Sequence, residues 1–573
     1  MILLRENTAS GNSLHYRISS FNVKVKIDQG VILGTKESTV FNEKQYYAFY
    51  GVPYAQAPVG KLRFKDPKPV KKWTRPLDAT TEYRGACAQA HIVHKHGQYG
   101  FENCLYLNIY TPNLPHQEKQ TLKAVIVWIH GYAFTSSFSH IHGGDFLIDN
   151  DVIVISLTHR LGAFGFLKLN ETDSNANMGI KDIVIGLKWI KQNVRFFSGD
   201  RKKITVMGSG SASTLLSLLL VTKYRKLFTK MILQSGSIFS PSIFQSNYEM
   251  EKQRLEKEMK TLGVKDLNSA TSKEIIQASH KIYSSRDVIN FQRSIVPFSP
   301  IIERKSNKSL LTMDIYDDRA LKSLNFSKIP ILIGFTSQES ISEVIPFIHN
   351  TNYLKLFHSF FKFMVPFGDG YKYEYSSQIY RHISKEIKSW YFQRSATENS
   401  IDEFLEYVSD LHKYPTYKFI QFVLSLRSEI YVYKFNYLGK FNAVKSTSLA
   451  GSYIKVKGAA QGDEICYILK CDPLWESYVK LRKNKHNKDR IFIENISQMW
   501  ANFAKTGKPT SIKHYGNVTW RPMTLKEDNV FLFDKHNKLI NSEPERKMFL
   551  FWKKIYEKYY DPKKSKRQSK DEL

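Results

Sequence analysis

The sequence predicts an α/β fold in which helices flank a central sheet of buried, mostly parallel strands. Three observations carry this expectation. Ala124-Val-Ile-Val-Trp-Ile129 and Val152-Ile-Val-Ile-Ser156 are continuous apolar runs, the pattern of strands covered on both faces. Residues 177 to 194 place Ile180, Ile183, Ile185, Leu187, Trp189, Ile190 and Val194 at helical spacing, giving a face that can lie on a sheet. Between residues 204 and 221, Ile204-Thr205-Val206-Met207 reads as a short strand, small residues follow, and a Leu-rich run completes a strand, tight turn and helix.

In chain order, residues 1–21 are polar and without usable period. Val23-Lys24-Val25-Lys26-Ile27 alternates, and Gly30-Val31-Ile32-Leu33-Gly34 follows, which predicts a small N-terminal antiparallel sheet. A further apolar run spans Tyr46 to Tyr54 and is ended by Pro53, Pro58 and Gly60. Gly199-Asp200 is expected to close the connection before the strand at Ile204. Lys230 to Gln234 and Ile329 to Phe335 read as further strands, and 248–262, rich in Glu, Lys and Arg, as an exposed helix. Residues 350–440 are aromatic and helical in character. Residues 545–560, with Met548, Phe549, Phe551, Trp552, Ile555 and Tyr556, read as an amphipathic C-terminal helix.

Composition removes several function classes. Apolar residues make up 42% of the chain and aromatics 14%, too much for a disordered protein. The formal charge of +31 is spread along the sequence, and no nucleic-acid-binding module is visible, so it is read as a drift toward Lys rather than as a binding site. The densest basic cluster, Lys563-Lys564-Ser565-Lys566-Arg567, reads as a solvated spacer. No run of 18 apolar residues occurs, so no membrane span is expected. Four cysteines without CxxC spacing argue against a metal site, and no cofactor is expected.

Ordered signatures run along most of the chain, from about residue 22 to 558. They are Gly51-Val52-Pro53-Tyr54-Ala55, Leu62-Arg63-Phe64, Glu102-Asn103-Cys104-Leu105-Tyr106-Leu107-Asn108, Arg160-Leu161-Gly162, Gly165-Phe166-Leu167, Gln234-Ser235-Gly236-Ser237 and Trp500-Ala501-Asn502-Phe503-Ala504. In these the chain resembles the carboxylesterase/cholinesterase family of α/β-hydrolases. The resemblance implies one α/β-hydrolase domain over 22–560, preceded by segment 1–21 and followed by a basic tail, 561–573. It also implies an internal ion pair between Arg63 and Glu102 and a disulfide between Cys87 and Cys104. Cys466 and Cys471 match no disulfide of the family; they are read as two buried thiols, with a local bridge as the alternative.

The same resemblance locates a hydrolytic site and shows what stands in it. Such a site needs an attacking hydroxyl, a histidine to take its proton and an acid to orient the histidine. The Gly-x-Ser-x-Gly apex falls on Gly210, and the acid position on Glu339 within Thr336-Ser337-Gln338-Glu339-Ser340. The histidine position falls on Gln461 within Gly458-Ala459-Ala460-Gln461-Gly462-Asp463-Glu464. Glycine offers no oxygen, and glutamine is no base near neutral pH. A hydrogen bond between Glu339 and Gln461 is the structural role expected of that pair. The oxyanion loop corresponds to His130-Gly131-Tyr132-Ala133-Phe134. Gly131, Tyr132, Ala133 and Ser211 hold its donor positions, Tyr132 being a bulky departure from glycine. His130 is assigned to supporting the loop. Ser209 and Ser211 flank the apex and are the only alternative nucleophiles considered. The Gly-Ser-Gly-Ser-Ala-Ser stretch is similar to the elbows of the family's non-catalytic adhesion members, the neuroligins.

Lys570-Asp571-Glu572-Leu573 is an address for the endoplasmic reticulum retrieval receptor, which acts only inside the secretory lumen. Five sequons (Asn170, Asn307, Asn325, Asn495, Asn517) and the Cys87/Cys104 pair fit that compartment. Met1-Ile2-Leu3-Leu4 gives way at once to Arg5, so no signal peptide is visible, and the expectation is a start upstream of this sequence. The reading is therefore a catalytically inactive carboxylesterase-like protein of the endoplasmic reticulum lumen that binds a protein or an apolar ligand. A weak or specialised ester hydrolase is one alternative. An adhesion or scaffold protein, dimerising through the C-terminal helix, is the other.

Overall fold

The computed structural model describes residues 23–81, 85–90, 97–115, 121–169, 176–240, 248–283, 296–306, 309–312, 321, 329–355, 377–392, 399–426, 430–510 and 518–559. The segment 1–21, the tail 561–573 with Lys570 to Leu573, and the sequons at Asn170, Asn307, Asn325 and Asn517 lie outside these residues. Asn495 is half-buried within a helix, Lys488–Thr506.

Twelve strands follow one path through a single sheet. They are β1 (Val23–Ile27), β2 (Gly30–Ser38), β3 (Gln45–Pro53), β4 (Tyr106–Thr111), β5 (Lys123–Gly131) and β6 (Ile153–Leu157), then β7 (Gly199–Gly210), β8 (Lys230–Gln234), β9 (Ile331–Thr336), β10 (Ile430–Phe435), β11 (Val530–Phe533) and β12 (Lys538–Ile540). The spatial order is β1-β2-β3-β4-β6-β5-β7-β8-β9-β10-β11-β12, and the short strand Leu77–Asp78 pairs with β2 to make thirteen. From β6 through β11 every pairing is parallel; β1 to β4, the β4–β6 pair and β12 are antiparallel. The N-terminal antiparallel strands are present as expected, and β2 joins them to the central sheet through Thr35 opposite Ala48. Parallel strands must be covered on both faces, and these are: Val125, Ile126, Ile155, Val206, Met207 and Leu332 are all fully buried.

Two strands extend beyond their sequence expectation. β7 begins at Gly199, with its register against β5 shifted between Gly199 and Ile204. The polar stretch Asp200–Lys203 hides that start, because it carries no strand signal of its own. β10 lies inside the stretch read as helical. Its run Ile-Tyr-Val-Tyr-Lys-Phe is short and buried almost throughout, and periodicity cannot separate such a run from a helix.

The helices pack as the apolar spacing requires. Helix α1 (Met178–Asn193) buries Ile180, Ile183, Leu187 and Ile190, and α2 (Ser211–Leu219) buries four leucines completely. Each such leucine contributes on the order of 1.5–3 kcal/mol. Helix α3 (Tyr248–Thr261) is anchored by Leu255 and Met259. Helices α4 (Gln378–Tyr391), α5 (Ile401–Ser425) and the C-terminal α8 (Glu543–Tyr559) build a separate core cluster around Tyr407 and Trp552. Helix α6 (Ala443–Ser448) follows β10 in the chain, and α7 (Lys488–Thr506) precedes β11. Met548, Trp552 and Ile555 of α8 are buried in this cluster, so its apolar stripe packs on the body of the protein.

Both cysteine pairs are bridged. Cys87 and Cys104 form the disulfide implied by the resemblance. The two buried thiols expected at Cys466 and Cys471 are instead a second disulfide, with Cα atoms 5.4 Å apart. The short helix Ile465–Ile468 turns directly into the strand Lys470–Cys471, and that reversal brings the two sulfurs together. The Arg63–Glu102 pair is doubly bonded, at 2.7 and 2.6 Å, and Arg63 Nη1 also donates to the carbonyls of Leu267, Asn268 and Ala270. It ties two segments 39 residues apart to a third, 204 residues further on.

Candidate active site

Strand β7 runs into α2 through Gly210, whose φ and ψ are +60° and −127°. That is a region a side chain occupies only under strain. The carbonyl of Gly131 crowds the same point: a Cβ on Gly210 would lie 2.5 Å from it. Glycine therefore satisfies both the dihedral and the close approach, and the turn keeps the sharp strand-to-helix geometry without an apex side chain. Gly236 packs just as tightly on the other side, its Cβ position 2.5 Å from the Gly210 carbonyl.

The next residue along from Gly236 leads to the acid. Ser235, itself at φ +55°, donates its hydroxyl to Glu339 Oε1 at 2.8 Å. The Thr336 hydroxyl donates to the same oxygen at 3.0 Å, and the Thr336 N–H donates to it at 2.5 Å. Glu339 Oε2 accepts from Gln461 Nε2 at 2.9 Å. The structure thus forms the expected Glu339–Gln461 hydrogen bond and joins Gly210 to it by way of Ser235 and Gly236. Glu339 is buried, and its carboxylate is held by four donors from the protein.

A second carboxyl lies behind the first. Glu464 is fully buried on the Gln461 loop, and its Oε1 accepts from Gln234 Nε2 at 3.3 Å and Tyr433 Oη at 3.2 Å. Burial, and next the nearby Glu339 charge, push its pKa up to about 8. At neutral pH Glu464 is therefore mostly protonated. Two anions at this depth would repel, and one proton removes the conflict. Asp463, also pushed up by burial, to about 6, accepts from the N–H groups of Ala460 and Lys445 and from Asn442 Nδ2.

The loop after β5 departs from an open oxyanion cradle. Ala133 and Phe134 both adopt left-handed φ, 48° and 57°. Tyr132 N–H, one of the expected donors, is already bonded to the Ser136 carbonyl at 2.9 Å, while the N–H groups of Thr135 and Ser136 return to the Tyr132 carbonyl. That closed turn diverts one donor from the site. The Tyr132 side chain is 40% exposed and lies by Ser342 and Glu343. Ser211 Oγ accepts from Phe134 N–H at 3.1 Å and fastens the loop to α2, with Gly131 packed against it. Ser209 is buried in β7, opposite His130 and Gln234. Among the described residues neither serine is hydrogen-bonded to an imidazole.

His130 supports the loop as the sequence suggested. Its Nδ1 accepts from Phe138 N–H at 3.1 Å, and its ring packs among Trp128, Phe138 and His142. Burial lowers its pKa to about 3, so the ring is neutral. The histidine that does approach the acid was not singled out from sequence. His412, on α5, pairs with Glu343 at 3.0 Å and also feels Glu339. Burial acts to lower its pKa, but the Glu343 carboxylate overrides this and lifts it to about 9. A histidine held as a cation cannot accept a proton from a hydroxyl near neutral pH. No local motif marks His412; helix packing alone brings it within reach of the 336–343 segment.

Three comparisons bear on this architecture. The model of the Carboxylesterase family matches residues 22–552. Esterase E4 of Myzus persicae is 29% identical over 523 residues, covering 89% of this chain and 91% of that protein. A juvenile hormone esterase of Heliothis virescens is 27% identical over 88% of each chain, and a cholinesterase of Mus musculus 27% identical over 89% and 83%. The crystal structure of juvenile hormone esterase from Manduca sexta, with OTFP covalently attached, superposes with a TM-score of 0.77. At 24% identity, covering 94% of this chain and all of that one, it shows a shared α/β-hydrolase fold. With the family model spanning nearly the whole described chain, the protein belongs to the carboxylesterase family.

Proposed function

We propose that this protein is a non-hydrolytic carboxylesterase-family member of the endoplasmic reticulum lumen, acting by binding a protein partner or an apolar ligand. The observation that carries the reading is the Glu339–Gln461 hydrogen bond, at 2.9 Å. The acid that would orient a histidine holds an amide, and the strand-to-helix apex is Gly210. Losing one member of such a triad costs roughly 10⁴- to 10⁶-fold in rate, and here two positions lack the required group. The bond that ties up Tyr132 N–H weakens the remaining source of transition-state stabilisation. Purified protein is expected to show no turnover of p-nitrophenyl butyrate and no covalent labelling by a fluorophosphonate. A labelled serine at Ser209 or Ser211, lost on mutation to alanine, would establish the competing reading, a weak or specialised ester hydrolase. That competitor is favoured by the relatives, which are named esterases.

The lumenal assignment rests on Lys570-Asp571-Glu572-Leu573 and gains support from the two disulfides. Expressed behind a secretory signal, the full chain should stay in the cell and a chain ending at Ser569 should reach the medium. Equal secretion of both would remove the assignment. For the adhesion or scaffold alternative, the apolar stripe of α8 is already spent inside the chain, leaving Leu550 as its exposed large apolar residue.

A further inference from the structure

Beyond the carboxyl end of β10 the chain passes through Tyr437 to Asn442 into α6. Opposite stands the turn Asn484–Asn487 and the start of α7. Between them lies an open cleft of about 800 Å³ lined by both segments. Lysines stand on its two walls, Lys440 and Lys445 on one and Lys488 on the other. They continue a basic run, since Lys480, Arg482, Lys483, Lys485 and Lys488 fall within nine residues.

The walls are firm. Tyr437 stacks on Phe492 with ring centroids 3.8 Å apart and planes 6° from parallel. Asp489, the one acid in the lining, is occupied by Tyr437 Oη at 2.9 Å and Lys440 N–H at 3.4 Å. Lys445 is anchored on the carbonyls of Val456 and Gly458. Lys440 and Lys488 are exposed, and neither has a carboxylate partner among the described residues. Leu438, 54% exposed, and Leu449 add an apolar surface to the same lining.

We propose that this cleft binds an extended acidic peptide segment of a protein partner. Its volume matches sites that hold whole ligands of about 300–1,000 Å³, far more than a single anion needs. Its cations are spread over two walls rather than converging on one point, which suits a row of carboxylates. Leu438 and Leu449 would cover an apolar side chain of the same peptide. The cleft also touches the degenerate site: Asp463 accepts from Lys445 N–H and Asn442 on the cleft wall and from Ala460 N–H on the Gln461 loop. The proposal stands whether or not the protein hydrolyses esters.

Fluorescence anisotropy with a labelled oligoglutamate peptide tests it on the full chain at physiological salt. The double variant K440E/K488E should weaken binding by about tenfold or more. A control with the same charge change, K202E/K203E at the amino start of β7, should change it less than about twofold, since screening confines each charge to its surroundings. K440Q/K488Q is the second cleft variant if charge reversal lowers the melting temperature. Absence of wild-type binding overturns the proposal. So does equal weakening in cleft and control variants, which would mean diffuse attraction to a protein of net charge +31. Phosphatidylcholine–phosphatidylserine vesicles that outcompete the peptide, with the same dependence on Lys440 and Lys488, would replace it with a membrane-facing site.

Discussion

Glu464 shows how a retained acidic residue takes on a different physical role from its neighbour. Glu339 sits in a nest of donors, whereas Glu464 keeps its proton because burial, and next the neighbouring Glu339, oppose its ionisation. The consequence for stability has a definite sign. Below the unfolded-state value of 4.5 the side chain is protonated in both states and contributes nothing to the pH dependence. Between that value and about 8 the unfolded chain ionises while the folded chain does not, so stability falls as pH rises; above it the loss is complete. Glu464→Gln keeps the shape and removes the titration. We expect it to raise stability by about 1–3 kcal/mol at pH 8 and by almost nothing near pH 4. Parallel denaturation curves for wild type and variant at both pH values would contradict this. Gly210 could be read as the apex from its motif alone, but the crowding by the Gly131 carbonyl could not, because that atom comes from a strand some 80 residues earlier.

Among the elements, α8 is where pattern and packing agree most closely. Of the stripe read from the sequence, Met548, Trp552 and Ile555 are buried while Phe549, Phe551 and Tyr556 are half-buried, and Glu545 is buried beside them. What they meet was not visible: Trp552 lies beside Tyr391 of α4 and Tyr407 of α5, and its Nε1 donates to Tyr391 Oη at 2.8 Å. Tyr391 in turn donates to Asp410 at 2.9 Å. Trp552→Ala should therefore cost about 3–5 kcal/mol, through the cavity and the lost hydrogen bond, and lower the denaturation midpoint. Leu550→Ala, on the solvent side of the same helix, should stay within about 0.5 kcal/mol of wild type. The reverse ranking would mean that α8 is held by an outer contact, as a dimer requires. β10 is the opposite case: its aromatic run reads equally well as helix, and only its parallel neighbours β9 and β11 make it a strand.

For the molecule as a whole, the net charge of +31 gains meaning only when it is placed. Along the sequence the basic residues are spread over the whole chain, with local runs at 480–488 and 563–567. In the fold, two stretches more than 40 residues apart, around Lys440 and Lys488, become facing walls of one cleft. Scattered surface lysines raise solubility and nonspecific attraction; unpaired lysines facing one another across a cleft concentrate the field where a partner can enter.

The order of the elements, the family, the glycine at 210, the glutamine at 461 and the Cys87–Cys104 pairing could all be read in one dimension. Each depends on residue identity at a spacing the chain itself preserves. The Cys466–Cys471 bridge, the diversion of Tyr132 N–H, the approach of His412 to the acid and the basic cleft could not. Those depend on distances between segments that only packing brings together, and on burial, which sets whether a carboxyl or an imidazole carries charge at all.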